Sequence, residues 1–218
     1  MGNGRHSGLY HGYKKSTTAP KQSTSGNSRD IDWSAYRKLS IDDMLTMRTD
    51  LGQDDINDSI YVGTSDSFHI NANLRQREGQ QQSGWTRLSN ERVDKLAARI
   101  DSWMKPAPEN FQTYRSVGSD WLKDNFGTTD KQRVADLINS NNISMSDAGF
   151  VSMSTDVDRN IFTGRGVILH LAVSKGTNIY VTRNISESEI IGHRNMEFEF
   201  SKAQMKSGHL HIYGRVKK

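Results

Sequence analysis

Apolar side chains recur at helical spacing in the first half of the chain and at strand spacing in the second. Val93, Leu96, Ala97, Ile100, Trp103 and Met104 fall three or four residues apart, which places them on one face of a helix. Ser89 stands where an N-cap hydroxyl would close the first turn, and Pro106 ends the element. A looser helical pattern covers 32–47, carried by Trp33, Tyr36, Leu39, Met44 and Leu45. A short helix is predicted at 67–75, where Phe68, Ile70 and Leu74 need burial, and another at 131–138. The sequence GQQQSG at 79–84 reads as a loop. Strands are predicted at 114–117, 150–154, 167–173, 178–181, 197–201 and 209–216. The whole pattern predicts an α+β fold, with N-terminal helices followed by a compact, mainly antiparallel β core.

Composition changes this picture at one end. Residues 1–30 are rich in Gly, Ser, Thr and Lys and almost lack aliphatic side chains, so burial has little to set against the entropy of ordering them. They are expected to form a mobile basic tail, a plain linker being the simplest reading, with one domain over 31–218. The hydrophobic share of 33% and the mean hydropathy of -0.75 fit a chain of which part adds nothing to a core. A formal charge of +4 is compatible with an anionic ligand or target without demonstrating nucleic-acid binding. With no cysteine, disulfides, zinc–thiolate sites and cysteine nucleophiles are excluded. No apolar run is long enough to span a bilayer, and the N-terminus lacks the apolar stretch of a signal peptide, so a soluble protein is expected.

Four segments carry candidate chemistry. Arg115 sits inside the strand-like run Thr113-Tyr114-Arg115-Ser116-Val117, where a charge needs a partner: a structural ion pair, or a fork aimed at a pyrophosphate. In Gly149-Phe150-Val151-Ser152-Met153-Ser154-Thr155, alternation turns both serine hydroxyls to one face, as it would on any half-exposed strand. Val167–Val173, then Ser174-Lys175-Gly176-Thr177 and Asn178–Val181, read as strand, turn and strand. In Met196-Glu197-Phe198-Glu199-Phe200 the two glutamates share a face opposite three apolar residues. That is either an ordinary amphipathic strand or a carboxylate pair whose like charges raise each other's pKa. His209 and His211 share a strand face without a clustered third ligand, and His170 also reads as a strand-face residue rather than a metal ligand.

In that order these segments resemble the arginine–serine–glutamate class of bacterial ADP-ribosyltransferase toxins, which includes binary actin-modifying toxins and clostridial Rho-modifying exoenzymes. The likeness extends upstream, where Tyr61 and the later Phe68-His-Ile70-Asn71-Ala-Asn-Leu74-Arg75 resemble the tyrosine and aromatic-x-x-Ile-Asn-x-x-Leu-Arg segment that precedes the catalytic core in those toxins. The resemblance implies NAD as co-substrate and no metal. It assigns Arg115 to the NAD phosphates, with Ser116, Ser154, Arg159 and Arg165 as further cofactor contacts. Ser152 would orient the catalytic carboxylate and the nicotinamide ribose. Glu199 becomes the catalytic glutamate and Glu197 the acceptor-facing one. Residues 156–166 would form a mobile loop over the cofactor, and 182–196, with His193 and Arg194, the loop that recognises the acceptor. Met153 and Ser116 depart from the threonine and glycine common at those places.

The implied activity is mono-ADP-ribosyl transfer. Breaking the nicotinamide–ribose bond develops oxocarbenium-like charge, which a carboxylate held at the sugar stabilises. Glutamate rather than glutamine at the first position of the pair implies a protein arginine as acceptor. The basic tail, the pI near 9.2 and Lys217-Lys218 admit a nucleic-acid acceptor instead. A non-catalytic RNA-binding module is a third reading, but it leaves the same-face glutamates unexplained. A neutralising antitoxin or immunity protein is a further implied partner; a membrane is not. The expected place of action is a cytoplasm, that of the producing cell or of a target cell.

Overall fold

The computed structural model describes residues 21–22, 30–53, 61, 66–80, 86–158 and 163–217. After a 3-10 turn at Trp33–Ala35, α1 (Ile41–Asp50), α2 (Asp66–Arg77) and α3 (Asn90–Trp103) precede the strands β2 (Lys105–Pro106) and β3 (Phe111–Val117). Helices α4 (Ser119–Phe126) and α5 (Lys131–Ser140) then lead into β4 (Ile143–Asp147) and β5 (Val151–Ser154). The chain continues through β6 (Val167–Val173), β7 (Asn178–Val181), β8 (Glu189–Gly192), β9 (Met196–Lys206) and β10 (His209–Val216). Within the segment expected as a tail, Lys21–Gln22 form β1 on the edge of β4; 1–20 and 23–29 lie outside the described residues.

Where local signals are strong, the expected elements are present. Ser89 caps α3 by accepting the Arg92 N–H, and Asp130 caps α5 by accepting from Gln132 and Arg133. Three expectations need correction. The single helical stretch at 32–47 is divided, because Ser40 and Asp43 form a reciprocal capping box that starts α1 afresh at Ile41. Helix α4 and strand β4 were not anticipated. Nor was β8, which lies inside the stretch 182–196 expected to be one loop: its four residues are all buried, so they carry no alternation to read.

The ten strands form one sheet in the order β1-β4-β9-β10-β6-β3-β5-β8-β7-β2, antiparallel throughout except for the parallel pair β10 and β6. Side-chain parity across it creates two cores. One joins α1, α4 and α5 to the strands through Met44, Leu122, Ile138, Val151, Met153, Leu171, Ile190 and Phe200. The second packs α2 and α3 on the opposite face of β5, β8 and β7, through Ile70, Leu74, Leu96, Ile100, Phe150, Tyr180 and Ile191. Alternation explains the division: Val151 and Met153 face the first core while Phe150 faces the second, together with Ser152 and Ser154.

Two local features set the geometry. Asn71 of α2 accepts the Phe150 N–H at 2.7 Å, which brings the helix so close that a Cβ on Gly149 would stand 2.8 Å from Asn71 Oδ1. On the open face of β6 and β10, His170 Nε2 and His211 Nδ1 meet at 2.9 Å, and His170 stacks on Tyr213. Burial, then His211 and Lys206, push His170 down to about 4. Among the described residues, no helix is long and apolar enough to cross a membrane.

Two outcomes are expected. Gly149→Ala separates α2 from β5 and destabilises the fold by about 1–3 kcal/mol, read from denaturant titration. The unfolded chain protonates His170 near the usual 6.5 and the folded one near 4, so stability is lost as pH falls through that window. Melting temperature measured from pH 7 to 4 checks this, and His170→Gln makes the decline shallower.

Candidate active site

Helix α2 covers the apolar end of the β5–β8 face and leaves its polar end open. The result is a cleft of about 370 Å³. One wall is α2 itself: Ser67, Asn71 and Arg75, spaced four residues apart, share a helix face, with Phe68 beside them. Strand β3 contributes Tyr114, Arg115 and Ser116, and β5 contributes Ser152, Met153 and Ser154. Arg165 closes one side from the 3-10 turn Thr163–Arg165, and Glu187 and Glu189 close another.

A carboxylate organises the cations. Asp147, at the end of β4, pairs with Arg75 through both oxygens, at 2.6 and 2.9 Å, and stands 3.9 Å from Arg115. Arg115 Nη1 donates to the Ser152 carbonyl at 3.0 Å, so its guanidinium is held against β5. Burial lowers the Arg115 pKa from the ordinary guanidinium value, with Asp147 opposing the shift. For Arg75 burial also works against the charge, but the Asp147 ion pair outweighs it and the pKa is raised.

The Glu187-Ser188-Glu189 turn is fixed by β5. Glu189 lies directly across from Ser154 in the β5–β8 ladder and is 8% exposed. Ser154 Oγ lies 2.7 Å from the carbonyl oxygens of both Asp156 and Glu187, and Thr155 N–H donates to the Ser188 carbonyl at 2.9 Å. Ser188 takes a left-handed φ of 47°, which breaks the extended run and sets Glu187 in the turn and Glu189 in the strand. Tyr61 lies behind this pair, 3% exposed; burial pushes its phenol up to about 12.

The cleft brings together Arg115, Ser116, Ser152, Ser154 and Arg165 from the expected set. It does not bring in Glu197 or Glu199. These do share a face of β9, as alternation implied, but β10 and β6 stand between β9 and β3, and the distance across those strands is roughly 14 Å. Glu197 is exposed opposite Ser146, while Glu199 accepts from Arg215 Nε at 2.8 Å and Nη2 at 2.6 Å. His193 and Arg194 are also outside the cleft lining: His193 Nδ1 donates to the Arg194 carbonyl, and Arg194 pairs with Asp101 of α3 at 2.8 Å. Arg159 lies outside the described residues. Asp147, Glu187 and Glu189 carry no expected role, and Tyr61 and Asn71 were named only within the segment that carries the resemblance. One sequence signal was available: the chain contains two Glu-x-Glu triplets, and the first ends a polar loop just before Ile190-Ile191.

Glu199→Gln is therefore expected to loosen the β9–β10 pair by roughly 1 kcal/mol, measurable as a lower melting temperature, with the cleft's ligand affinity unchanged.

The model for the family described as ADP-ribosyltransferase exoenzyme matches residues 33–215. Among solved structures, the C3 exoenzyme of Clostridium limosum superposes with a TM-score of 0.66 at 19% identity, covering 84% of this chain and 98% of that one. C3stau2 of S. aureus, solved with NAD, gives 0.63 at 18% identity, with 84% and 99% covered. The enzymatic component C2-I of the Clostridium botulinum C2-toxin gives 0.64 at 20% identity, with 83% of this chain and 47% of that one covered. Among curated protein sequences no match was found. A family match over almost the whole folded chain, on a fold shared with these toxins, establishes that the chain belongs to the ADP-ribosyltransferase exoenzymes and is an NAD-dependent ADP-ribosyltransferase.

Proposed function

We propose that this enzyme is a mono-ADP-ribosyltransferase in which Glu189 is the catalytic carboxylate, Glu187 faces the acceptor, and the acceptor is an arginine on a protein. The observation that carries the reading is the assembly of Glu189, Ser152 and Arg115 in one cleft, with Glu189 locked opposite Ser154.

The lining suits an anionic dinucleotide. Arg115 and Arg165 bring positive charge to one side, and Ser116 Oγ is buried with no hydrogen-bond partner, a group that a phosphate or ribose oxygen would satisfy. Arg115 keeps its fork oriented through the Ser152 carbonyl and Asp147, which suits bidentate capture of a pyrophosphate. Glu189, almost excluded from water, stabilises positive charge developing at the ribose as nicotinamide departs. Glu187 is half-buried in the turn, where a carboxylate attracts a guanidinium and takes its proton during transfer. Exposed Ile185, two residues earlier, belongs to the same loop and offers an apolar contact to a protein surface.

Incubation with labelled NAD and a cell lysate tests the acceptor: label released by protease supports the reading, and label released by nuclease overturns it. Glu189→Gln is expected to lower NAD hydrolysis by about 10²–10³-fold with the fold intact. In Glu187→Gln, transfer falls at least about tenfold further than hydrolysis, and equal losses would place Glu187 in the common NAD chemistry. Arg115→Lys raises the NAD dissociation constant about tenfold by calorimetry, because lysine keeps the charge but loses the fork.

A further inference from the structure

We infer that the open face of β3, β6, β10 and β9 binds single-stranded nucleic acid, with bases against a row of rings and phosphates along two lysines. The inference does not depend on which group accepts ADP-ribose.

Register builds the row. Tyr114 stands across from His170, His170 across from Tyr213, and Tyr213 across from Lys202, so these four side chains rise from one face of four adjacent strands. At a strand spacing of about 4.8 Å the rings touch. Tyr114 meets His170 edge-on at 5.3 Å, and His170 stacks on Tyr213 at 4.4 Å. Parity adds His211 and His209 on the same face of β10, with Lys206 directly across from His209. Trp33 packs edge-on against Tyr213 at 6.0 Å and extends the aromatic surface to the N-terminal 3-10 turn. The helices pack elsewhere: α1, α4 and α5 on the core beneath, α2 and α3 on β5, β8 and β7. Seating the Trp33 turn accounts for Tyr213, but not for His211 or for the lysines beyond it.

Charge selects the occupant. Lys202 and Lys206 are exposed, and among the described residues no carboxylate pairs with either. Four residues apart on β9, they stand about 13 Å from each other along the strand. Burial, then His211 and Lys206, hold His170 low, and burial, then Lys206 and His209, hold His211 low, so no acid acts on either imidazole. The acids of this face lie away from the lysines: Glu199 is bound to Arg215, Glu197 lies across from Ser146, and Asp156 and Asp158 act on the Tyr114 phenol at the cleft end. A polyanion is thereby directed along the Lys202–Lys206 edge. Protein interfaces favour aromatic residues and arginine but are depleted in lysine. Rings on a sheet face with lysines beside them suit a single strand, whose unpaired bases stack on the rings while cations follow the backbone. A duplex keeps its bases stacked inward and offers the rings nothing.

Anisotropy of a labelled single-stranded RNA of about 10 nucleotides, measured without NAD, tests this against the same strand annealed to its complement. The single strand is expected to bind at least about tenfold more tightly than the duplex, and Tyr213→Ala to weaken it about tenfold with the salt dependence unchanged. The double variant Lys202→Gln, Lys206→Gln also weakens binding, and it makes the slope of log affinity against log salt shallower by about 1.4, because each lost phosphate contact removes about 0.7. NAD hydrolysis by the lysine variant stays at the wild-type rate, and that variant serves if Tyr213→Ala does not fold. No binding at low salt, equal binding of the duplex, full affinity in folded Tyr213→Ala, or an unchanged slope in the lysine variant overturns the inference.

Discussion

Asp147 gathers two guanidinium groups from two different elements, Arg75 from α2 and Arg115 from β3, at the end of an otherwise short strand. All three side chains are mostly shielded from water, at 15–20% exposure, where like charges repel strongly and an unpaired ion is costly. The carboxylate therefore does more than pair with one arginine. It allows the helix wall and the strand wall of the cleft to approach each other with both cations facing inward. Removing it would leave two guanidinium groups opposed with no counter-charge, a loss of several kcal/mol where such a pair is buried. The cleft's positive side exists because β4 delivers one acid to that point.

The opposite side of the cleft arises from amphipathicity along strands rather than across them. The face of β5 and β8 that carries Phe150 and Ile191 under α2 and α3 continues, without a change of parity, into Ser152, Ser154 and Glu189. Helix α2 ends its cover at that boundary, and Asn71 marks it by bonding the first backbone amide beyond Gly149. Polar groups so close to a core are shielded from water, so their charges act through a weakly screening medium. The same short distance from core to cleft explains why Gly149 has no room for a side chain.

Loop geometry is set by this frame. Ser154 and Thr155 bond the backbone of the Glu187-Ser188-Glu189 turn, which allows Ser188 to occupy a left-handed conformation that a serine adopts only at some cost. The turn is thereby tied to a rigid strand, while its outer residues, including Ile185, remain exposed. Glu197 and Glu199 have the opposite situation. They lie on a long regular strand whose solvent face satisfies them locally, Glu199 through Arg215.

The sequence by itself determined the α+β class, the capped helices α3 and α5, the strands with strong period-two alternation, and the facing of Ser152 and Ser154 to one side with Met153 in the core. These depend on neighbours within a few residues, which is the range over which periodicity and capping act. Arg115 was recognisable for a related reason: a charge in an apolar strand demands a partner wherever the strand goes. The choice between the two Glu-x-Glu triplets was not local. Alternation is cleaner in Met196–Phe200, so the pattern favoured it. Strand order places only the first at the cleft: β8 lies next to β5, whereas β9 lies beyond β10 and β6. Asp147 was unreadable for the same reason, since its arginine partners are 72 and 32 residues away in the chain, and Asn71, though part of the segment that carries the resemblance, meets Phe150 only across 79 residues. Which side chains share a cleft is settled by long-range pairing and by where a covering helix stops, and neither leaves a trace in the residues on either side.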